Sequence, residues 1–217
     1  MDEQDKRVFH RYENPIGRRW EEWVELWWQW CYSFPYNESP PRYYTEKFSL
    51  FERFQGKIWF LAGTYGGKAQ RTCTISSKTS IFFPIINDII SFHTDPQLRT
   101  DAELIQYAKN DLDHIRLISA NLDGINISNL KSFRVLSNLF SVKIPQEGND
   151  MIWRESTAVS DGFWLFVKPL SPGNHILKFQ GEKLEFDRIK NFKNLSDEEL
   201  DKTPKFSVDV TYIMQVV

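Results

Sequence analysis

Five of the eight tryptophans of this chain, Trp20, Trp23, Trp27, Trp28 and Trp30, lie within one short segment near the N-terminus. Wound at about 100° per residue, Trp20, Trp23, Val24, Trp27, Cys31 and Phe34 fall on one stripe with the i, i+3, i+4, i+7 spacing of an amphipathic helix. Trp28 and Trp30 widen that stripe, and Arg18, Glu21, Glu22, Glu25 and Gln29 form a narrow polar strip opposite. Such a helix has to sit in a groove, because each indole can bury roughly 150–250 Å² and its N–H then needs an acceptor. Asn14-Pro15 and Pro35 set the limits of the segment, since proline neither continues a helix nor leaves the preceding residue free to be helical. The expected role is a core helix held against a sheet; the second reading is an aromatic platform for a sugar or an acyl chain.

At 217 residues the chain can bury a sizeable core, and 41% hydrophobic residues with 15% aromatics fit a packed globule rather than a disordered chain. A single domain over residues 1–217 is expected. The formal net charge of -2 lacks the basic footprint of a general nucleic-acid binder, so no nucleic-acid partner is expected. Met1-Asp2-Glu3-Gln4-Asp5 opens without an apolar stretch, and no run of about 18 apolar residues follows, so the expectation is a cytoplasmic chain with no membrane partner. Cys31 and Cys73 are too few for a disulfide framework and are expected to be reduced, structural thiols.

Further along, Lys57–Ala62, Arg71–Ile75 and Thr79–Ile86 read as strands, with Pro84 marking an edge, a bulge or an end. Thr100-Asp-Ala-Glu103 is a capping box, and the apolar spacing after it predicts a second helix around 101–116. Period-two patterning then returns: strands around Ile118–Leu122 and Ser137–Ile144 flank a tight Asp123-Gly124 turn. The clearest hairpin signal is Gly162–Lys168, then Pro-Leu-Ser-Pro-Gly, then Asn174–Gln180, and Phe206–Val216 alternates as a last strand covering one face. Residues 182–205 are read as a charged surface insertion, with Ser196-Asp-Glu-Glu199 opening a short capped helix. These elements predict a mainly β fold: an antiparallel β-sandwich, jelly-roll-like, with the tryptophan helix packed on or across it.

Several phrases together resemble an uncharacterised family of microbial hypothetical proteins: Trp-Val-Glu-Leu-Trp-Trp-Gln-Trp at 23–30, Trp59-Phe-Leu-Ala-Gly63, Ile81-Phe-Phe-Pro-Ile85 with Asn87, and the run from Asp161 to Ile176. The resemblance implies a single β domain and carries over no activity and no catalytic residue.

No P-loop, nucleotide fingerprint, nucleophile elbow or zinc spacing occurs, and no cofactor is expected. Gly63-Thr-Tyr-Gly66-Gly67 precedes a strand rather than a helix, which suits a hairpin loop better than a phosphate cradle. Three groups of residues are candidates for chemistry. Asp88, His93 and Asp95, with Asn87, are read on a loop at 87–95 and could ligate a divalent cation or supply an oriented base. Asp161 and His175 are the catalytic candidates if the hairpin turn brings their strand ends together. Trp28, Trp59, Trp164, Arg71 and Asn87 are the ligand-binding candidates; Arg71, near the core, calls for a carboxylate such as Asp161 or Glu155.

The leading functional expectation is a non-catalytic β-sandwich that binds a small molecule or a protein partner through an aromatic-lined pocket. The alternatives are a hydrolase or metal-dependent enzyme using the 87–95 loop, and a structural or assembly subunit.

Overall fold

The computed structural model describes residues 5–42, 57–185 and 205–217, the side chains of 149–151 excepted. Among the described residues the fold is mainly β, with two α-helices. In chain order the elements are α1 (Trp20–Cys31), β1 (Ile58–Phe60), β2 (Gly67–Ile75), β3 (Ser80–Ser91), α2 (Asp101–Leu112), β4 (Ile115–Leu122), β5 (Ile125–Asn126), β6 (Arg134–Leu136), β7 (Phe140–Gln146), β8 (Asn149–Val167), β9 (Gly173–Leu184) and β10 (Lys205–Val216).

The described strands form two five-stranded sheets. Sheet I runs β1-β3-β8, and β8 is long enough to take both β6 and β7 along its far edge. Sheet II runs β2-β10-β9-β4-β5. The expectation of purely antiparallel sheets is corrected at two places: β1 pairs parallel with β3, and β2 pairs parallel with β10. The chain crosses from β1 in sheet I to β2 in sheet II and back to β3, and two reversals return it in its starting direction. All other pairings are antiparallel.

The expected hairpin around Pro169–Gly173 is also corrected, because its two strands belong to different sheets. Both edges of β8 are occupied, by β3 on one side and by β7, β6 and, at the end where the hairpin would form, residues 7–9 on the other, so β9 has no edge to join there. The proline-rich connection carries the chain across to sheet II instead. The Asp123-Gly124 turn does close a hairpin, β4 to β5, with both residues at positive φ (54° and 81°), the geometry of a tight two-residue turn. The second helix ends at Leu112 rather than near 116, because Ile115 is taken into pairing with Lys183 of β9. The expected insertion at 182–205 retains Glu182–Leu184 in β9, Glu185 just after it and Lys205 in β10; residues 186–204, with the capped helix at Ser196, lie outside the described residues.

α1 lies on one face of sheet I through edge-to-face aromatic pairs: Trp20 with Phe82, Trp23 with Phe166, and Trp27 with Trp164, at ring centroids 6.1, 5.7 and 5.4 Å apart. Its indoles also anchor it through hydrogen bonds: Trp23 Nε1–H donates to the Pro15 carbonyl and Trp27 Nε1–H to that of Leu61, each at 2.9 Å, while Trp28 Nε1–H donates to Ser160 Oγ at 2.7 Å. At the helix start the Glu22 carboxylate accepts from the Arg19 backbone N–H, satisfying one of the free donors there.

Alternation along β3 sends Phe82 toward α1 and Phe83 toward sheet II, where it meets Phe179 at 4.9 Å. Sheet I is thus covered on both faces, which is why β3 is a continuous apolar run. The sheets pack tightly at Gly181, where an added Cβ would stand 2.5 Å from Ile86 Cβ and 3.2 Å from the Ile85 carbonyl oxygen. Because the obstructing atom is the root of the Ile86 side chain, rotation cannot relieve the clash. Gly181→Ala is expected to destabilise the fold by about 3 kcal/mol, the upper end of overpacking costs, measured by chemical denaturation. α2 continues the layer of sheet II over the far end of sheet I, burying Leu104 and Ala108 on Ile90 and Val159.

Candidate functional site

β1 is short. It pairs with β3 only as far as Phe82, and the Leu61 N–H gives the last bond to the Phe82 carbonyl at 3.1 Å. Beyond that point no strand among the described residues borders this side of β3. Residues 84–88 instead line a cleft of about 340 Å³, with Trp27 and Trp28 of α1 on one side and Phe206 and Val208 of β10 on the other. Tyr65, from the connection after β1, closes part of the rim. Pro84 suits this edge because it has no N–H to leave unpaired, and the register of β3 against β8 shifts between Pro84 and Ile86.

The polar end of the cleft holds Asn87, Asp88, Asp111, Lys183 and Glu185. β3 supplies Asp88 on the face toward sheet II, α2 supplies Asp111, and the end of β9 supplies Lys183. The Lys183 ammonium, with the residue only 6% exposed, donates to Asp88 Oδ2 at 3.1 Å and to Asp111 Oδ2. It also stands 5.9 Å over the Phe206 ring. Asp88 Oδ1 accepts the Ile89 backbone N–H at 2.8 Å. One ammonium thus serves two carboxylates. Burial, reinforced by the neighbouring charge of Asp88, pushes the Asp111 carboxyl up to about 7 against the opposing pull of Lys183. Burial alone would lower Lys183, but the two carboxylates outweigh it and hold the ammonium charged.

Asn87 points to the opposite face of the strand from Asp88. Its Nδ2 is closed off from solvent and has no hydrogen-bond partner among the described residues, as is true of Trp164 Nε1. Both side chains fold over Gly162, the cross-strand partner of Asn87: a Cβ there would lie 2.6 Å from Asn87 Cβ and 2.8 Å from Trp164 Nε1. Glycine at 162 is what allows the two groups to approach.

Of the ligand-binding candidates, Trp28 and Asn87 line this cleft. Trp164 lies behind them in the core, stacked on Phe82 at 5.1 Å. Trp59 is buried on β1. Arg71 holds the connection after β1, donating to the carbonyls of Ala62, Gly63 and Pro41 and to the Tyr212 hydroxyl. The carboxylates expected for Arg71 have other partners: Glu155 accepts from Ser141, and Asp161 is bound by Arg134.

The metal candidates do not share a site. β3 continues to Ser91, so Asn87 and Asp88 belong to a strand rather than to a loop at 87–95; the shift at Pro84 lets pairing with the long β8 run on to Ala158. Asp88 turns to Lys183, His93 Nε2 pairs with Gln146 Oε1 at 3.1 Å, and the buried Asp95 accepts from Thr94 Oγ1 at 2.7 Å. Among the described residues no group of three or more His, Cys, Asp or Glu side chains is placed to hold a metal ion. Cys31 and Cys73 are buried free thiols, and burial pushes the Cys31 thiol up, away from thiolate chemistry.

Asp161 and His175 lie in different sheets and take separate partners, Arg134 and Asp123. His175 instead ties the connection after β8 to the β4–β5 turn: Nδ1 pairs with Asp123 Oδ2 at 2.7 Å and Nε2 with the Ser171 carbonyl at 2.8 Å. Two acceptors suit the doubly protonated ring. Burial opposes that charge, but the Asp123 and Ser171 bonds outweigh it and raise the imidazole above its usual 6.5. Stability from this contact is therefore full below about pH 6.5 and is lost as pH rises through the higher folded value. Thermal melts of the wild-type protein across that window should show a fall in Tm that His175→Gln abolishes.

Sequence reasoning misses Asp111 and Lys183. Asp111 lies on the polar side of a helix whose signal is its apolar stripe, and Lys183 falls inside a stretch that reads as solvated. One signal is present: the alternation of β9 puts Lys183 on the same face as the inward-facing Leu177, Phe179 and Gly181.

No family model, curated protein or solved structure matches this chain, consistent with its resemblance to a family without known activity. No helix among the described residues is long and apolar enough to cross a membrane.

Proposed function

We propose that this protein binds a small polar molecule, without transforming it, in the cleft at the open edge of β3. The two sheets, packed face to face as a β-sandwich, serve as a rigid frame, and α1 forms one wall. The observation that carries this reading is the cleft itself: about 340 Å³ bounded by Trp27, Trp28 and Phe206, with a charged and amide-bearing end. That is the size and composition of sites for small ligands, apolar on the walls with a few convergent polar groups. A jelly-roll-like ancestry for the frame is part of the proposal; the parallel pairs β1–β3 and β2–β10 would then be departures from that plan.

Trp28, buried at the cleft wall, is a reporter for occupancy. A library of sugars, amines, amino acids, nucleotides and lipids should contain compounds that raise Tm and alter tryptophan fluorescence, with affinity falling about tenfold in Asn87→Ala, the loss of one hydrogen bond of about 1.4 kcal/mol. A library that leaves Tm and fluorescence unchanged throughout would overturn the reading.

A further inference from the structure

We infer that the cleft is a receptor for a small organic cation that also bears an oxygen acceptor, with the cationic nitrogen against Asp88 and Asp111 and the oxygen toward the Asn87 amide. The inference rests on the binding reading above and narrows it to a chemical class.

Charge is the first ground. The described ionisable groups lining the polar end are three carboxylates, Asp88, Asp111 and Glu185, facing one ammonium, Lys183. Lys183 is already engaged with two of them, so an anionic ligand would meet excess negative charge and a cation whose charge is offset. A cationic ligand would add counter-charge beside Asp111, which shares the Lys183 ammonium with Asp88.

The walls are the second ground. Aromatic faces attract cations, most strongly where water is excluded. Two rings at this cleft already carry one: Lys183 Nζ over Phe206 at 5.9 Å, and the Arg42 guanidinium over Tyr65 at 4.7 Å. The third ground is Asn87, whose shielded and unpartnered Nδ2–H calls for an oxygen. Asn87 and Asp88 are consecutive on β3 and leave opposite faces of the strand, so a ligand using both must span the strand edge and carry two different groups.

The class predicts a proton linkage. The titratable groups facing Asp111 are Asp88 from β3 and Lys183 from β9, with Glu185 also lining the cleft. Burial and Asp88 hold Asp111 at about 7, so near neutrality part of the protein has it protonated. A cation selects the ionised form and expels that proton. Affinity should therefore rise about tenfold between about pH 6 and about pH 8.

The test is calorimetry and thermal shift at matched ionic strength, with choline, acetylcholine and ethanolamine as cationic probes that keep their charge across this pH range, and glucose and inorganic phosphate as comparators. The full chain is used as wild type, Asp111→Asn and Asn87→Ala. The amide introduced by Asp111→Asn is shaped like the protonated acid, and the unliganded melt of that variant reports whether the fold persists. The expected result is binding of at least one cation, about tenfold tighter at the higher pH, with the affinity and its pH dependence both lost in Asp111→Asn. Asn87→Ala should weaken binding while retaining the pH dependence. Affinity that is flat with pH in the wild-type protein, or unchanged in a folded Asp111→Asn, overturns the assignment without needing any other variant. Glucose or phosphate binding where every cation is inert overturns the cation class and leaves the ligand-binding reading standing. Silence from these probes overturns the inference, and silence from the wider library overturns the reading beneath it.

Discussion

Trp27→Ala is expected to lower the unfolding free energy by about 3–5 kcal/mol, the cost of removing a large aromatic from a core that cannot collapse around the void. Trp27 is 2% exposed and packs edge-to-face on Trp28, Trp30 and Trp164. Its N–H also ties α1 to the connection after β1 through the Leu61 carbonyl, so truncation leaves that acceptor unpaired as well. Equilibrium urea unfolding should show the midpoint fall at unchanged slope. A loss under about 1 kcal/mol would mean that the helix contributes little to the fold.

Arg134→Met is expected to cost a similar amount, about 3–5 kcal/mol near neutral pH, by a different route. Asp161 has a fully buried side chain and is held by Arg134 through Nε at 3.1 Å and Nη2 at 2.7 Å. The same guanidinium reaches Asp113 at 2.6 Å and the Lys109 carbonyl at 2.8 Å, so it also fixes the C-terminal end of α2 to sheet I. Without it, Asp161 is a buried carboxylate stabilised by little beyond the Gly162 N–H at 2.8 Å. Burial already raises this carboxyl above its usual value in spite of Arg134, and the variant would raise it further. The folded variant then binds a proton more readily than the unfolded chain. Its deficit should grow as pH rises above about 4 and shrink as pH falls, which denaturation at several pH values will read.

The architecture is legible in the sequence where the pattern depends on one neighbour. α1 is fixed by its own spacing, since a stripe of indoles has few ways to leave water. The capping box at Thr100–Glu103 and the Asp123-Gly124 turn are equally local. Strand pairing is less accessible: Gly162–Lys168 and Asn174–Gln180 read as a hairpin, yet whether an edge of β8 remains free depends on β3, β6, β7 and the N-terminal residues 7–9, remote in sequence. The parallel pairs have the same origin, a chain that alternates between sheets.

The site shows the same division. Trp28 and Asn87 stand out through aromatic excess and through a polar residue beside an apolar strand, and both line the cleft. Asp88 groups with His93 and Asp95 by closeness in sequence, whereas its partners are Lys183 and Asp111, brought to it from 95 and 23 residues away by β9 and α2. Asp161 and His175 are joined only by an assumed hairpin; in the fold Asp161 is bound by Arg134 and His175 by Asp123. Sequence proximity is a guide to turns and caps; a buried ion cluster is assembled by the fold.

The docking of α1 on sheet I is the claim on which both the architecture and the cleft depend. Hydrogen exchange of the indole N–H groups, followed by NMR after transfer to heavy water, tests it directly. The Trp23 and Trp27 indole protons should exchange as slowly as the central amides of β3 and β8, through global unfolding alone. Exchange of those indole protons at the rate of free indole, while the sheet amides stay protected, would contradict the account.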